Sequence, residues 1–265
     1  MFKGVYTAII TPFKEDSVDF EALGKLIDFN ISKGVDGIVP CGTTGESPTL
    51  NYSEHDEVIE FTVKHVAGRV KVIAGTGSNS TREAVRISKH AEKSGADGIL
   101  VVSPYYNKPT QEGLYRHFKA IADSVKIPMI IYNIKGRTGV NVETSTLMRL
   151  AKDCSNIIGV KEASGDMKQI KDVISQRPAG FCVLSGDDNL TLEVIKNNGD
   201  GVISVASNIV PDRVSKMVHL ALNGKMHEAE KLNKELMPLF EALFIETNPI
   251  PVSYTHLTLP TILRV

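Results

Sequence analysis

Gly95-Ala96-Asp97-Gly98-Ile99-Leu100 appears in close variants at Gly34-Val35-Asp36-Gly37-Ile38-Val39 and at Asn198-Gly199-Asp200-Gly201-Val202-Ile203. Each copy follows a stretch with helical spacing and leads into an apolar, β-branched run. Each reads as a glycine that ends a helix in the left-handed conformation, a tight turn, and a buried strand. One αβ turn used repeatedly implies repeated units in one sheet.

Working outward, apolar runs at 5–10, 37–40, 70–74, 98–102, 128–132, 156–161, 181–184 and 201–205 read as strands. Helices are expected at 20–32, 53–66, 81–93, 113–122, 145–151, 167–175, 190–196 and 211–222, with Ser53 and Asp56 capping the second. Strands and helices alternate through eight units, and no GxGxxG follows the first strand. The fold class is therefore α/β, a (β/α)8 TIM barrel over residues 1–224. A helix over 227–245 begins a truncated C-terminal helical extension, 225–252. Residues 253–265 are rich in threonine and leucine, carry Pro260 and show no helical stripe. They read as foreign or frame-shifted sequence and stand outside the fold argument.

The chain has 265 residues, 42% of them hydrophobic, enough for a large core. Thirty basic residues balance 31 acidic ones, so no basic face marks a nucleic-acid partner and the expected ligand is small. Cys41, Cys154 and Cys182 have no CxxC or Cys/His spacing, and the first and last sit in apolar runs as small hydrophobes. No targeting segment or membrane-length apolar run is visible, so a cytoplasmic location is expected.

In a barrel the chemistry collects at the C-terminal ends of the strands. Asn156-Ile157-Ile158-Gly159-Val160-Lys161 ends an apolar strand in a lysine. Desolvation there favours the neutral amine, a nucleophile suited to a Schiff base, although a lone strand-end lysine more often snorkels to solvent or pairs with an acid. The same rim receives Gly42-Thr43-Thr44-Gly45-Glu46-Ser47, a hydroxyl-rich turn able to hold a small carboxylate, together with Tyr105-Tyr106 and Tyr132-Asn133.

These stretches, with Gly136-Arg137-Thr138-Gly139 and Asn248-Pro249-Ile250-Pro251, resemble the pyruvate-dependent class I aldolase superfamily. Within it the chain is most similar to the dihydrodipicolinate synthase family. The resemblance runs from about Phe2 to Val252 and implies condensation of pyruvate with L-aspartate 4-semialdehyde. By position, Lys161 would form the imine, Tyr132 would be the general acid/base, and Thr43 and Tyr106 would complete a hydroxyl relay. Tyr106 would reach into a neighbouring subunit, implying a homodimer or homotetramer. Thr44 and the backbone near Ile203 would bind pyruvate, and Arg137 the second substrate's carboxylate. Ser47, Pro48, His55, Asn79, Glu83 and Tyr105 match a cleft that takes L-lysine as inhibitor in some members. No metal, nucleotide or prosthetic group is implied.

Two departures stand out. The family usually carries proline where this chain has Lys135, so the Arg137 loop is expected to be looser and to bind the semialdehyde less tightly. The family also continues for about forty residues beyond Val252, and the 227–245 helix is expected to lose packing partners and expose an apolar face. The rival readings are another pyruvate-dependent aldolase, cleaving N-acetylneuraminate or a 2-keto-3-deoxy sugar acid, and an inactive truncated barrel.

Overall fold

A computed structural model describes residues 2–252; the expectations for 253–265 lie outside the described residues. Eight parallel strands close a barrel: β1 Gly4–Ala8, β2 Gly37–Val39, β3 Lys71–Gly75, β4 Gly98–Val102, β5 Met129–Asn133, β6 Ile157–Glu162, β7 Cys182–Ser185 and β8 Gly201–Ser204. Each pairs with its sequence neighbour, and β8 closes on β1 with Gly4 opposite Gly201 and Thr7 opposite Ser204. The helices between and after the strands are α1 Phe20–Ser32, α2 Tyr52–Val66, α3 Thr81–Ser94, α4 Gln111–Ala122, α5 Thr144–Asp153, α6 Met167–Gln176, α7 Thr191–Lys196 and α8 Pro211–Leu222. α9, Met226–Ala242, packs on α8 and α7.

Alternation along the strands separates two cores. Tyr6, Val39, Ile73, Leu100, Ile130, Cys182, Leu184 and Ile203 fill the barrel interior. Val5, Ile38, Val72, Ile99, Ile131, Val160 and Val183 point outward, into a layer shared with the helices. Gly159 is needed for the inner packing, since a Cβ there would lie 2.2 Å from Cys182 Sγ. Cys41, Cys154 and Cys182 are all buried, and burial pushes the Cys182 thiol up to about 12.

The repeated turn does more than end a helix. In all three copies the aspartate N–H donates to a carbonyl on the neighbouring strand, and its carboxylate accepts from that same residue's N–H. Asp36 clamps Val5, Asp97 clamps Val72 and Asp200 clamps Val183, all at 2.8–2.9 Å. A cationic or imidazole partner backs each carboxylate: His219 at 2.7 Å from Asp36, Lys71 at 2.6 Å from Asp97, and Arg177 on Asp200. These clamps lie at the barrel's N-terminal end, opposite the rim.

Some sequence expectations need correction. The left-handed residue is glycine in two copies, Gly34 and Gly95, but Asn198 (φ 70°) in the third; asparagine tolerates that region. The α2 cap is Asn51 and not Ser53: its side chain accepts from Ser53 N and Glu54 N, and Glu54 Oε2 accepts from Asn51 N at 3.0 Å, a reciprocal box. α4 starts two residues before the expected 113, capped by the Thr110 hydroxyl, and α9 ends at Ala242 and not at 245. Ala229, Leu236 and Phe240 bury α9 in the main core, while the exposed large apolar side chains of this region, Phe244 and Ile245, lie just past its end.

Candidate active site

The rim is built around the β5–β6 pair, where Tyr132 is in register with Lys161 and Asn133 with Glu162. Tyr132 and Lys161 share the parity that points into the barrel. Lys161 is 5% exposed, and its Nζ lies 4.2 Å from the centroid of the Tyr132 ring. Gly186, just past β7, leaves room for it: a Cβ there would sit 3.1 Å from Lys161 Cε. Among the described residues no carboxylate forms an ion pair with this lysine. Asp187 and Asp188 are the acids that feel its charge, and burial holds both carboxyls above the usual range despite it.

The alternate residues, Asn133 and Glu162, face outward into a buried network. Asn133 Nδ2 donates to both Glu162 oxygens at 3.1 and 3.2 Å, Gln169 Nε2 donates to Oε2 at 3.2 Å, and Ser164 N donates to Oε1 at 3.0 Å. Desolvation raises the Glu162 carboxyl even though these donors favour its anion. A fully satisfied polar cluster behind two adjacent strands fixes their register, and so fixes where Tyr132 and Lys161 emerge.

Beside Tyr132 opens a cavity of about 210 Å³ lined by Thr43, Ser47, Pro48, Tyr105, Tyr132 and Arg137, among others; Lys161 is not among its lining residues and reaches it only past the Tyr132 ring. Thr43 lies in the turn after β2, bracketed by two non-glycine residues in the left-handed region, Cys41 (φ 54°) and Glu46 (φ 56°). Such backbone is costly and needs surrounding support. It is gained here because Gly75 lets the turn fold over β3: a Cβ on Gly75 would meet the Cys41 carbonyl at 2.1 Å.

Arg137 belongs to a four-residue helix, Lys135–Thr138, where the sequence suggested only a loop. Its Nη2 donates to the Asn248 carbonyl at 2.5 Å. The Lys135 loop is thus tethered at its arginine. Thr44 is buried and is not among the cavity-lining residues, its Oγ1 accepting from Asn248 Nδ2 at 3.1 Å. Ile203 is buried in the interior cluster that also holds Tyr132.

Tyr106 is not in this cavity. It is 90% exposed and left-handed at φ 71°, on the loop after β4. Among the described residues no hydrogen bond joins the hydroxyls of Thr43, Tyr106 and Tyr132 within one chain. The six residues matched to an effector cleft divide in the same way. Ser47, Pro48 and Tyr105 line the cavity. His55 is buried on α2, and burial lowers its imidazole to about 4. The Asn79 carbonyl accepts from Asn107 Nδ2 at 3.0 Å, and Glu83 is engaged by Ser78 and Tyr52.

A model of the dihydrodipicolinate synthetase family matches residues 1–259. The chain belongs to this family. The 4-hydroxy-tetrahydrodipicolinate synthase of Endomicrobium trichonymphae is 57% identical over 252 residues, 95% of this chain and 86% of that one. The crystal structure of dihydrodipicolinate synthase from Aquifex aeolicus superposes with a TM-score of 0.95 at 53% identity, covering 96% of this chain and 87% of that one. A family structure from Cyanidioschyzon merolae with lysine bound gives a TM-score of 0.93 at 43% identity, covering 96% and 87% of the two chains. The dihydrodipicolinate synthetase barrel therefore extends over all the described strands. The contacts of Asn248 with Arg137 and Thr44 were not foreseen from the sequence, although its stretch was singled out. Its partners are 111 and 204 residues away in the chain, so no local pattern announces them.

Proposed function

We propose that this chain is a 4-hydroxy-tetrahydrodipicolinate synthase, condensing pyruvate with L-aspartate 4-semialdehyde in lysine and diaminopimelate synthesis. The observation that carries the reading is a buried lysine amine against the ring of a tyrosine that lines a cavity whose wall also bears an arginine. Lys161 Nζ attacks the pyruvate keto carbon, and loss of water leaves the imine. Loss of a C3 proton gives the enamine, whose C3 then bonds to the aldehyde carbon of the second substrate. That substrate's own amine displaces the lysine at the imine carbon, closing the ring and freeing Nζ, so one water leaves per turnover.

The Tyr132 hydroxyl moves the protons at each stage, with Thr43 beside it on the cavity. Tyr106 supplies the third hydroxyl to the site of a second copy, which fits its exposure and its strained backbone; the working unit is then a homodimer or homotetramer. Thr44 and the backbone near Ile203 hold the pyruvate carboxylate. Arg137 receives the semialdehyde carboxylate, and this favours the semialdehyde over a sugar acid. No group outside the chain and its substrates is required by these steps, and a cytoplasmic location suits them; among the described residues no helix is long and apolar enough to cross a membrane.

The test is intact-protein mass spectrometry after incubation with pyruvate and borohydride. A single reduced adduct is expected on this chain and none on Lys161→Ala. A folded protein without an adduct sinks the reading.

We further propose L-lysine as an inhibitor acting where Ser47, Pro48 and Tyr105 meet His55, Asn79 and Glu83, as the lysine-bound relative suggests. The Glu83 carboxylate would exchange its contacts with Ser78 and Tyr52 for the effector's ammonium. Activity should fall with added lysine, and less so in Glu83→Gln. A flat curve for the unmodified chain rejects the site.

A further inference from the structure

The C-terminal segment reaches back over the rim through one buried residue. Asn248 Nδ2 donates to Thr44 Oγ1 at 3.1 Å, and the Asn248 carbonyl accepts from Arg137 Nη2 at 2.5 Å. The two contacts fall on the residues assigned above to different substrates. Among the described residues Asn248 Oδ1 is buried without a hydrogen-bond partner. A bare buried amide oxygen is costly. Packing alone would favour an apolar residue here, or an orientation that feeds both ends of the amide. The arrangement instead satisfies Thr44 at the expense of Asn248.

We propose that Asn248 is a positioning residue serving both substrates. Its N–H occupies a lone pair of the Thr44 oxygen, so the hydroxyl hydrogen must point elsewhere, toward the pyruvate carboxylate. Its carbonyl fixes one guanidinium nitrogen of Arg137, which orients the planar group while other donors remain for the semialdehyde. The inference rests on the proposed roles of Thr44 and Arg137. It adds that the segment after α9 takes part in substrate binding.

The experiment is a pyruvate titration of borohydride trapping at Lys161, on the full chain and on Asn248→Ala, Asn248→Asp, Thr44→Val and the Thr44→Val/Asn248→Ala double variant. Loss of one such hydrogen bond should raise the half-saturating pyruvate about tenfold in Asn248→Ala. Asn248→Asp keeps the shape but offers only acceptors. It should bind pyruvate more weakly still, because the new carboxylate draws the Thr44 hydroxyl to itself and repels the ligand. The double variant should be no worse than Thr44→Val alone. The semialdehyde KM of Asn248→Ala should move less than the pyruvate constant, since the backbone carbonyl survives, and a merely structural role would move both together.

Unshifted pyruvate saturation in Asn248→Ala, an Asn248→Asp that matches the unmodified chain, or fully additive effects would each overturn the proposal. Should Asn248→Ala fail to fold, the isosteric Asn248→Asp decides it. An unmodified chain that traps no pyruvate sinks the enzymatic reading itself, whereas a normal adduct with unshifted variants sinks only the role of Asn248.

Discussion

Lys135 opens the short helix that carries Arg137, at a position where the N–H has no intrahelical partner and proline is tolerated. The preceding Ile134 is already non-helical, at φ −140° and ψ 83°, outside the α region that a following proline disfavours. Lys135→Pro should therefore stiffen the turn by removing conformations from the free loop, an effect of about 0.4–1 kcal/mol. The Asn248 tether already limits the wandering of the arginine, so the lower end is expected. The semialdehyde KM should fall about twofold, with pyruvate trapping unchanged. Steady-state kinetics on the pair of proteins checks this, and equal KM values would show that the tether alone sets the geometry. The burial of Lys161 was legible at this scale because the lysine ends an apolar strand. Asn248 was not, because nothing local distinguishes a polar residue that satisfies two distant groups.

Among the elements, legibility followed how local the determining physics is. The α1 boundaries agree with the apolar spacing that begins at Phe20, helped by the Asp19 carboxylate, which accepts from Ala22 N at 2.9 Å. The α2 start was misplaced by two neighbouring cap candidates. Ser53 fits the pattern, but Asn51 reaches two N–H groups and receives the return bond from Glu54. The hairpin of Phe13–Lys14 with Ser17–Val18 went unseen because two residues a side give no periodicity to read. The repeated aspartate turn announced the sheet correctly, yet the carboxylate was its most informative atom. The sequence reading credited the glycine alone, since the clamp exists only once the neighbouring strand is in place. Tyr132, Thr43 and Arg137 line one cavity, whereas Tyr106 stands exposed outside it.

For the molecule as a whole, acid sensitivity follows from its buried imidazoles. His117, on α4, faces the start of α3 with Nδ1 2.9 Å from Thr81 Oγ1, and its Nε2 is buried without a hydrogen-bond partner among the described residues. Burial lowers its pKa to about 4 from an ordinary value of 6.5. As pH falls through that window the unfolded chain takes up the proton first, so stability is complete above the window and is lost between its limits. At pH 4.5 the His117 contribution to this loss is about 2–3 kcal/mol. His55 acts in the same direction. His219, raised by Asp36, acts in the opposite one, its contribution fading as pH rises. Urea unfolding at pH 7 and 4.5 should show a smaller loss for His117→Gln than for the unmodified chain. Equal losses would mean that the imidazole is hydrated in solution.

Closure of β8 onto β1 bears on a different matter, the ways in which copies can join. A sheet with a free border can recruit a foreign strand, and growth by that route has no natural end. In this barrel every strand has a partner on both sides, and the only other pairing among the described residues is a hairpin two residues deep. Among the described residues the barrel therefore offers no free strand edge, and contacts between molecules would fall on the helices and loops around it. Surfaces of that kind are finite and shape-dependent, so they favour assemblies that stop at a definite size over fibres that lengthen.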